Sequence, residues 1–189
     1  MGGTYDPETG RIVWEAHVPI EEQHAHYAAH PPSCLGALEG TAIDLSGHPF
    51  DGHGEPVNTI FAVRCPCGSR LFTALGHFDE DGDYPLPPVI LECAGCRVEH
   101  VVFDASRHGF DGVVGNLANS EPEGQLDELC AADVGGPPCE IILRFEFPSD
   151  VLGDPEWSGR EPELFSWITI VGRNPSDGRL ATLFELECA

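Results

Sequence analysis

The sequence predicts a mainly β, α+β fold: an antiparallel β-sheet or sandwich carrying one or two short helices. Three observations predict it. Residues 139–147 alternate strictly, with Cys139, Ile141, Leu143, Phe145 and Phe147 on one side and Glu140, Ile142, Arg144 and Glu146 on the other. That is the period of a strand with one face in a core. Residues 164–171 are largely apolar on both sides, as a central strand requires. The 22 glycines and 17 prolines punctuate the chain too often for a helical bundle and suit short strands joined by turns.

The elements follow in order. Residues 11–18 alternate through Ile12, Trp14, Ala16 and Val18 and read as a half-buried strand. Residues 19–29 predict a short helix, with Pro19 suited to its first turn and Pro31 and Pro32 preventing its continuation. Residues 35–56 read as a loop-rich connection with one strand at 41–45. The middle of the chain reads as strands around cysteines: 57–64 runs into Cys65, 70–78 runs out of Cys67, 89–92 leads into Cys93, and 97–103 leaves Cys96. Residues 77–88, acidic with three prolines, read as a loop, as do the glycine-rich residues 104–119. Residues 120–132 predict a helix starting near Pro122. A turn at 173–178 leads to a last strand at 180–186, where Leu180, Phe184 and Leu186 share a face. Residues 139–188 are therefore expected to form a three-stranded antiparallel meander, and residues 1–189 a single domain.

Charge narrows the partners. Thirty-two acidic residues stand against nine basic ones, all nine of them arginine, for a net charge of −23. Such a field repels nucleic acid phosphates and anionic lipid, so direct contact with nucleic acid or membrane is not expected, whereas a basic protein partner is favoured. No apolar run approaches the roughly 18 residues of a membrane span. Residues 1–10 carry neither the basic stretch nor the apolar core of an export signal, which makes the cytoplasm the expected location. In that compartment eight cysteines point to metal binding ahead of disulfides.

Two motifs carry the chemistry: Cys65-Pro66-Cys67-Gly68 and Cys93-Ala94-Gly95-Cys96. Zinc takes four thiolates in a tetrahedron at about 2.3 Å. Tight turns present paired sulfurs toward one point, and Gly68 and Gly95 leave room for backbone amides to approach them. The pattern over residues 57–103 resembles a zinc ribbon, with Cys65, Cys67, Cys93 and Cys96 matching the four ligand positions. The first knuckle is a departure, since one residue separates its cysteines where a ribbon has two. The resemblance implies a structural Zn2+; a site with four protein ligands has no open position for water or substrate.

Other clusters are weaker. Cys139 and Cys188 lie in phase with apolar strand faces and read as core residues, while Cys34 and Cys130 show no partner spacing. His17, His24, His26 and His30 cluster near the N-terminus, and His26 and His30 share a helix face at a spacing that can chelate. No His-Glu-x-x-His motif accompanies them. Asp79, Asp81 and Asp83 alternate as in a calcium loop, but Tyr84 and Ile90 occupy the positions where an EF-hand needs Gly and Glu. Asp104, Ser106 and His108 fall within one short segment, which does not by itself make a nucleophilic triad. Phosphate-binding glycine signatures are absent.

The expected function is that of a zinc-stabilised acidic binding protein acting through protein–protein interaction, with no catalysis of its own. An inhibitor or immunity-type antidote to a basic partner fits this description. The alternative from another class is a metal-dependent hydrolase using His24, His26 and His30. A ribbon subunit of a larger assembly is a third.

Overall fold

The computed structural model describes residues 3–6, 11–14, 18–44, 57–79, 81–82, 84–115, 125–129 and 136–188, with backbone alone at 3–6 and 11–14. Strands β1 (Gly3–Asp6) and β2 (Arg11–Trp14) pair antiparallel as a separate two-stranded sheet. The strand expected at 11–18 thus covers Arg11–Trp14, and residues 15–17 lie outside the described residues. Helix α1 (Ile20–Ala29) matches the expected helix. Pro19 precedes it, and its carbonyl accepts from the Glu22 and Gln23 amides at 3.0 Å. Glu21 and Glu22 sit in the first turn, where carboxylates favour the positive end of the helix dipole. Gln23 Nε2 donates to the Val18 carbonyl at 2.8 Å and the Ser149 carbonyl at 2.9 Å. Tyr27 stacks on Phe147 with ring centroids 3.8 Å apart. The helix is thereby seated on the end of a strand more than a hundred residues away in sequence.

The main sheet is antiparallel and curls into a half-barrel. Its strands are β3 (Glu39–Ala42), β4 (Val57–Arg64), β5 (Leu71–Phe78), β6 (Pro85–Cys93), β7 (Glu99–Phe103), β8 (Asp127–Glu128), β9 (Cys139–Phe147), β10 (Trp167–Arg173) and β11 (Leu180–Glu187). The path runs β11-β10-β9-β5-β6-β7, with β3 on β4, β4 also on β9, and β8 on β5. β10 takes one edge of β9 along most of its length. The other edge is divided: Val57–Ala62 of β4 pair with Phe147–Ile142, and Leu71 and Phe72 of β5 pair with Glu140 and Cys139. The last three strands are consecutive antiparallel neighbours, with a bulge in β11 that leaves Leu183 outside the ladder.

Several elements differ from expectation. Residues 77–88 are not one loop, since β5 runs to Phe78 and β6 begins at Pro85. Pro85 and Leu86 pair with Phe78 and His77 of β5 alone, Pro87 and Pro88 fall in the irregularity of that ladder, and β7 joins β6 only from Val89 onward. Proline is tolerated in a strand where no amide has to be donated on the open side. Residues 104–119 include a short helix, α2 (Gly109–Val114), closed by Gly115 in a left-handed conformation. The helix expected at 120–132 is corrected where it is described: Asp127 and Glu128 form β8 against Gly76 and Leu75, and residues 116–124 and 130–135 lie outside the described residues. The strand expected at 41–45 is Glu39–Ala42.

The core fills the concave face of the sheet. Phe61, Phe72, Phe103, Phe145, Phe147, Phe165 and Phe184 are essentially inaccessible to solvent. Phe145 contacts Phe61 and Phe165 edge-on, at centroid distances of 6.2 and 4.9 Å, an arrangement that suits the ring quadrupoles. The other face of β9 is buried as well, with Ile142 at 1%, Arg144 at 6% and Glu146 at 0% exposure. Arg144 and Glu146 form an ion pair at 3.0 Å. Truncating Phe145 to alanine is expected to lower unfolding free energy by about 3–5 kcal/mol, measured by urea denaturation. A loss below about 1 kcal/mol would mean that this ring is not part of a close-packed core.

Candidate metal centre

The two cysteine motifs sit at turns, the first in the passage from β4 to β5, which do not pair with each other, and the second closing the β6–β7 hairpin. In the first turn the Cys65 amide bonds the Ser69 carbonyl at 2.9 Å, and the Gly68 amide bonds the Cys65 carbonyl at 2.8 Å. Gly68 has φ +92°, a conformation that a Cβ would strain. In the second turn the Cys93 amide bonds Val98 and the Arg97 amide bonds Cys93, and Arg97 has φ +63°. It is the one non-glycine residue with positive φ among those described. The Ala94 amide donates to the Leu71 carbonyl at 2.9 Å, locking one turn to the other. Gly95 faces Ser69 and Cys67 so closely that a Cβ there would lie 3.1 Å from the Ser69 Cβ and 3.4 Å from the Cys67 sulfur.

These constraints bring all four sulfurs within 4.8 Å of one another, and the group could hold a metal ion. Cys65 Sγ lies 3.6 Å from Cys96 Sγ, and Cys67 Sγ lies 3.5 Å from Cys93 Sγ. A disulfide would bring sulfurs to about 2.05 Å, whereas a tetrahedron with ligands at about 2.3 Å has edges of about 3.8 Å. The two close separations are too long for a disulfide and lie near the edge of such a tetrahedron. Cys65 and Cys93 are buried while Cys67 and Cys96 are exposed, so each close contact joins an inner sulfur to an outer one.

Backbone amides prepare the sulfurs for negative charge. The Gly95 amide donates to Cys93 Sγ at 3.3 Å. Burial pushes the Cys93 thiol up, yet the amides of Cys96 and Gly95 and the sulfurs of Cys67 and Cys65 outweigh it and bring the thiol to about 6. At Cys65 the Cys67 amide pulls downward. Burial and the sulfurs of Cys67, Cys96 and Cys93 prevail there and hold it at about 12. Cys67 accepts from the Ser69 amide and the Cys65 sulfur, but it too is raised, by the Cys93 sulfur and by burial.

One neighbour was not singled out from the sequence. His100 Nε2 lies 3.7 Å from Cys65 Sγ. Its position four residues beyond Cys96, inside the same ribbon, is the signal that marks it. The remaining sequence candidates do not converge as a group of three or more ligands among the described residues. His24 Nδ1 contacts the Asn58 carbonyl at 2.9 Å, while His26 stacks on His30 with centroids 4.5 Å apart. Among the described residues the four cysteines form the one group of converging ligands; His17, Asp83 and Cys130 lie outside those residues. Asp79 Oδ1 accepts from the Tyr84 amide at 3.1 Å. Asp104 Oδ1 accepts from the Ser106 hydroxyl at 2.7 Å, and the Asp104 amide donates to His108 Nδ1 at 2.9 Å. The carboxylate therefore holds the serine and does not orient the histidine, the reverse of a nucleophilic triad. Cys34, Cys139 and Cys188 are buried, and burial raises the thiols of Cys34 and Cys188.

The proton balance of the site has a sign. The Cys93 thiol is shifted toward the thiolate, whereas those of Cys65 and Cys67 are shifted toward the protonated form, and a cation must displace their protons. Apparent zinc affinity is accordingly expected to rise with pH, by at least about a hundredfold per unit near neutrality. Competition with a chromophoric chelator at pH 6.5–8 (about this range suffices) measures the slope; a flat profile would show that the thiols are already ionised. Compared with known proteins, the chain matches no family model, no curated protein and no solved structure, so the reading of this centre rests on its own geometry.

Proposed function

We propose that the chain is a zinc-stapled, acidic binding protein in which Cys65, Cys67, Cys93 and Cys96 hold one structural Zn2+. The observation that carries the reading is the convergence of four sulfurs within 4.8 Å of one another, with two of the pairs at 3.5 and 3.6 Å. Four thiolates on paired β turns are the usual surroundings of structural zinc. The ion would join the β4–β5 and β6–β7 turns and contribute to folding directly, since an unfolded chain offers no preformed site. With all four positions taken by protein, the centre supplies shape and stability in place of catalysis.

Charge supports the choice of partner. Arg64, Arg97, Arg107, Arg144, Arg173 and Arg179 each lie within ion-pair distance of a carboxylate of the same chain. Most of the scarce positive charge is thus neutralised internally, and the surplus of a −23 chain is left to act outward. A basic protein is the partner this field attracts, and an inhibitor or antidote of such a protein is the proposed form of the interaction. No helix among the described residues is long and apolar enough to cross a membrane.

Elemental analysis of the purified protein is expected to find one zinc per chain, with Cys93→Ser losing the metal and several degrees of melting temperature. Unchanged metal content and stability in that variant would remove the staple from consideration, and iron in place of zinc would change its identity. For the partner, affinity measured by calorimetry is expected to fall steeply from low to physiological salt, because screening shortens the reach of surface charge to about 8 Å. An affinity insensitive to salt would rule out charge as the basis of recognition.

A further inference from the structure

His100 occupies a place that neither the fold nor the four-cysteine cage requires. It stands on β7 opposite Leu91 of β6, and along β7 it alternates with the exposed Glu99 and Val101, on the same side as the fully buried Val102. Its side chain therefore turns inward, toward the buried Cys65, and ends with Nε2 at 3.7 Å from that sulfur. The contact crosses from the last strand of the ribbon to the first knuckle. It reaches the knuckle with the short Cys-x-Cys spacing, in which one residue separates the two sulfurs.

The sense of this contact is decided by the charge of the sulfur. A thiol can donate to an imidazole nitrogen, but a metal-bound thiolate has no proton and can only accept. Four thiolates around a divalent ion leave an excess of two negative charges, and donors at the sulfurs disperse that excess. Amides serve both turns: Gly95 donates to Cys93 in the second, and in the first the Cys67 amide bears on Cys65 and the Ser69 amide on Cys67. The arginines adjacent to the cysteines are already paired: Arg64, beside Cys65, with Glu39 and Arg97, beside Cys96, with Glu92, each at 2.7 Å.

We infer that His100 is a positioning residue of the metal centre, with its Nε2–H donating to the Cys65 thiolate so that the inner sulfur of the short knuckle is held in place and made less available to protons and competing ligands. The inference rests on the zinc reading proposed above. It adds an outer-sphere donor to that reading and leaves the ligand set unchanged.

Three measurements on the full-length zinc protein test it. In long-range proton–nitrogen NMR spectra, Nε2 of His100 is expected to carry the proton and Nδ1 to be bare. The opposite tautomer would overturn the proposal without any variant being made. Zinc transfer to excess chromophoric chelator is expected to be about tenfold faster for His100→Phe, the lower end of what outer-sphere partners contribute, while His100→Gln, which keeps an N–H donor, stays near the wild-type rate. Equal rates in all three proteins, or equal losses in both variants, would show that donation from residue 100 does not hold the metal. After cobalt substitution the sulfur-to-metal charge-transfer and ligand-field bands are expected to coincide in wild type and variants. Bands that move when His100 is replaced would make it a ligand and overturn the outer-sphere role. Absence of metal from the wild type would instead overturn the zinc reading itself, and with it this inference.

Discussion

One edge of β9 has to serve two strands, and the rest of the sheet is arranged around that constraint. β4 occupies residues 142–147 of the edge and β5 occupies 139–140. The chain must therefore leave one ladder at Arg64 and enter the next at Leu71, within a few residues and without reversing onto its own hairpin. A tight turn at Cys65–Gly68 makes the transfer possible. The same transfer aims the turn sideways, toward the neighbouring β6–β7 turn, and the Ala94–Leu71 hydrogen bond fixes the two together. The sulfur cage is a product of this seam. A metal there would stabilise the part of the sheet where continuous strand pairing is interrupted.

Burial on both sides of β9 sets a second condition. The core face is aromatic and aliphatic, and its tight packing leaves little freedom. The opposite face carries Arg144 and Glu146, buried and ion-paired. Such a pair contributes little net stability once desolvation is counted, yet removing one member strands the other charge at a cost of about 3–5 kcal/mol. Its effect is on specificity: it disfavours any register of β9 that would put one of these residues into the aromatic core. Beside it, Trp167 of β10 and Asn58 of β4 flank Glu146 in the two ladders, so three strands share the alignment.

Much of this was legible in the sequence, for physical reasons that can be named. The bounds of β9 follow from alternation, because it lays one clean apolar stripe in the core, and β4 ends where the Cys65 turn begins. Helix α1 announces itself through Pro19 and the Pro31-Pro32 stop. The cage was legible because thiolate spacing within a turn is a local property. What was missed depends on distant partners. β8 is two residues long, and its strand character comes wholly from Leu75 and Gly76. Proline normally argues against a strand; Pro85 is permitted because β7 starts later, and Pro87 and Pro88 because they fall in the irregularity of the β5–β6 ladder. Burial of Ile142, Arg144 and Glu146 could not be read from alternation, which reports that two faces differ and not whether the second is covered. His100 escaped notice because a lone histidine in a strand acquires meaning only from what stands across the sheet.

The division of the cage into two inner and two outer sulfurs has a kinetic meaning. A competing ligand arriving from solvent meets Cys67 and Cys96 first, and can begin to bond the ion before Cys65 or Cys93 has let go. Exchange by that route is associative: its rate depends on the concentration and softness of the incoming chelator, and not only on the strength of the resting site. An ion held here would be open to attack on one side and enclosed on the other, with Cys65 and Cys93 the last sulfurs to let go.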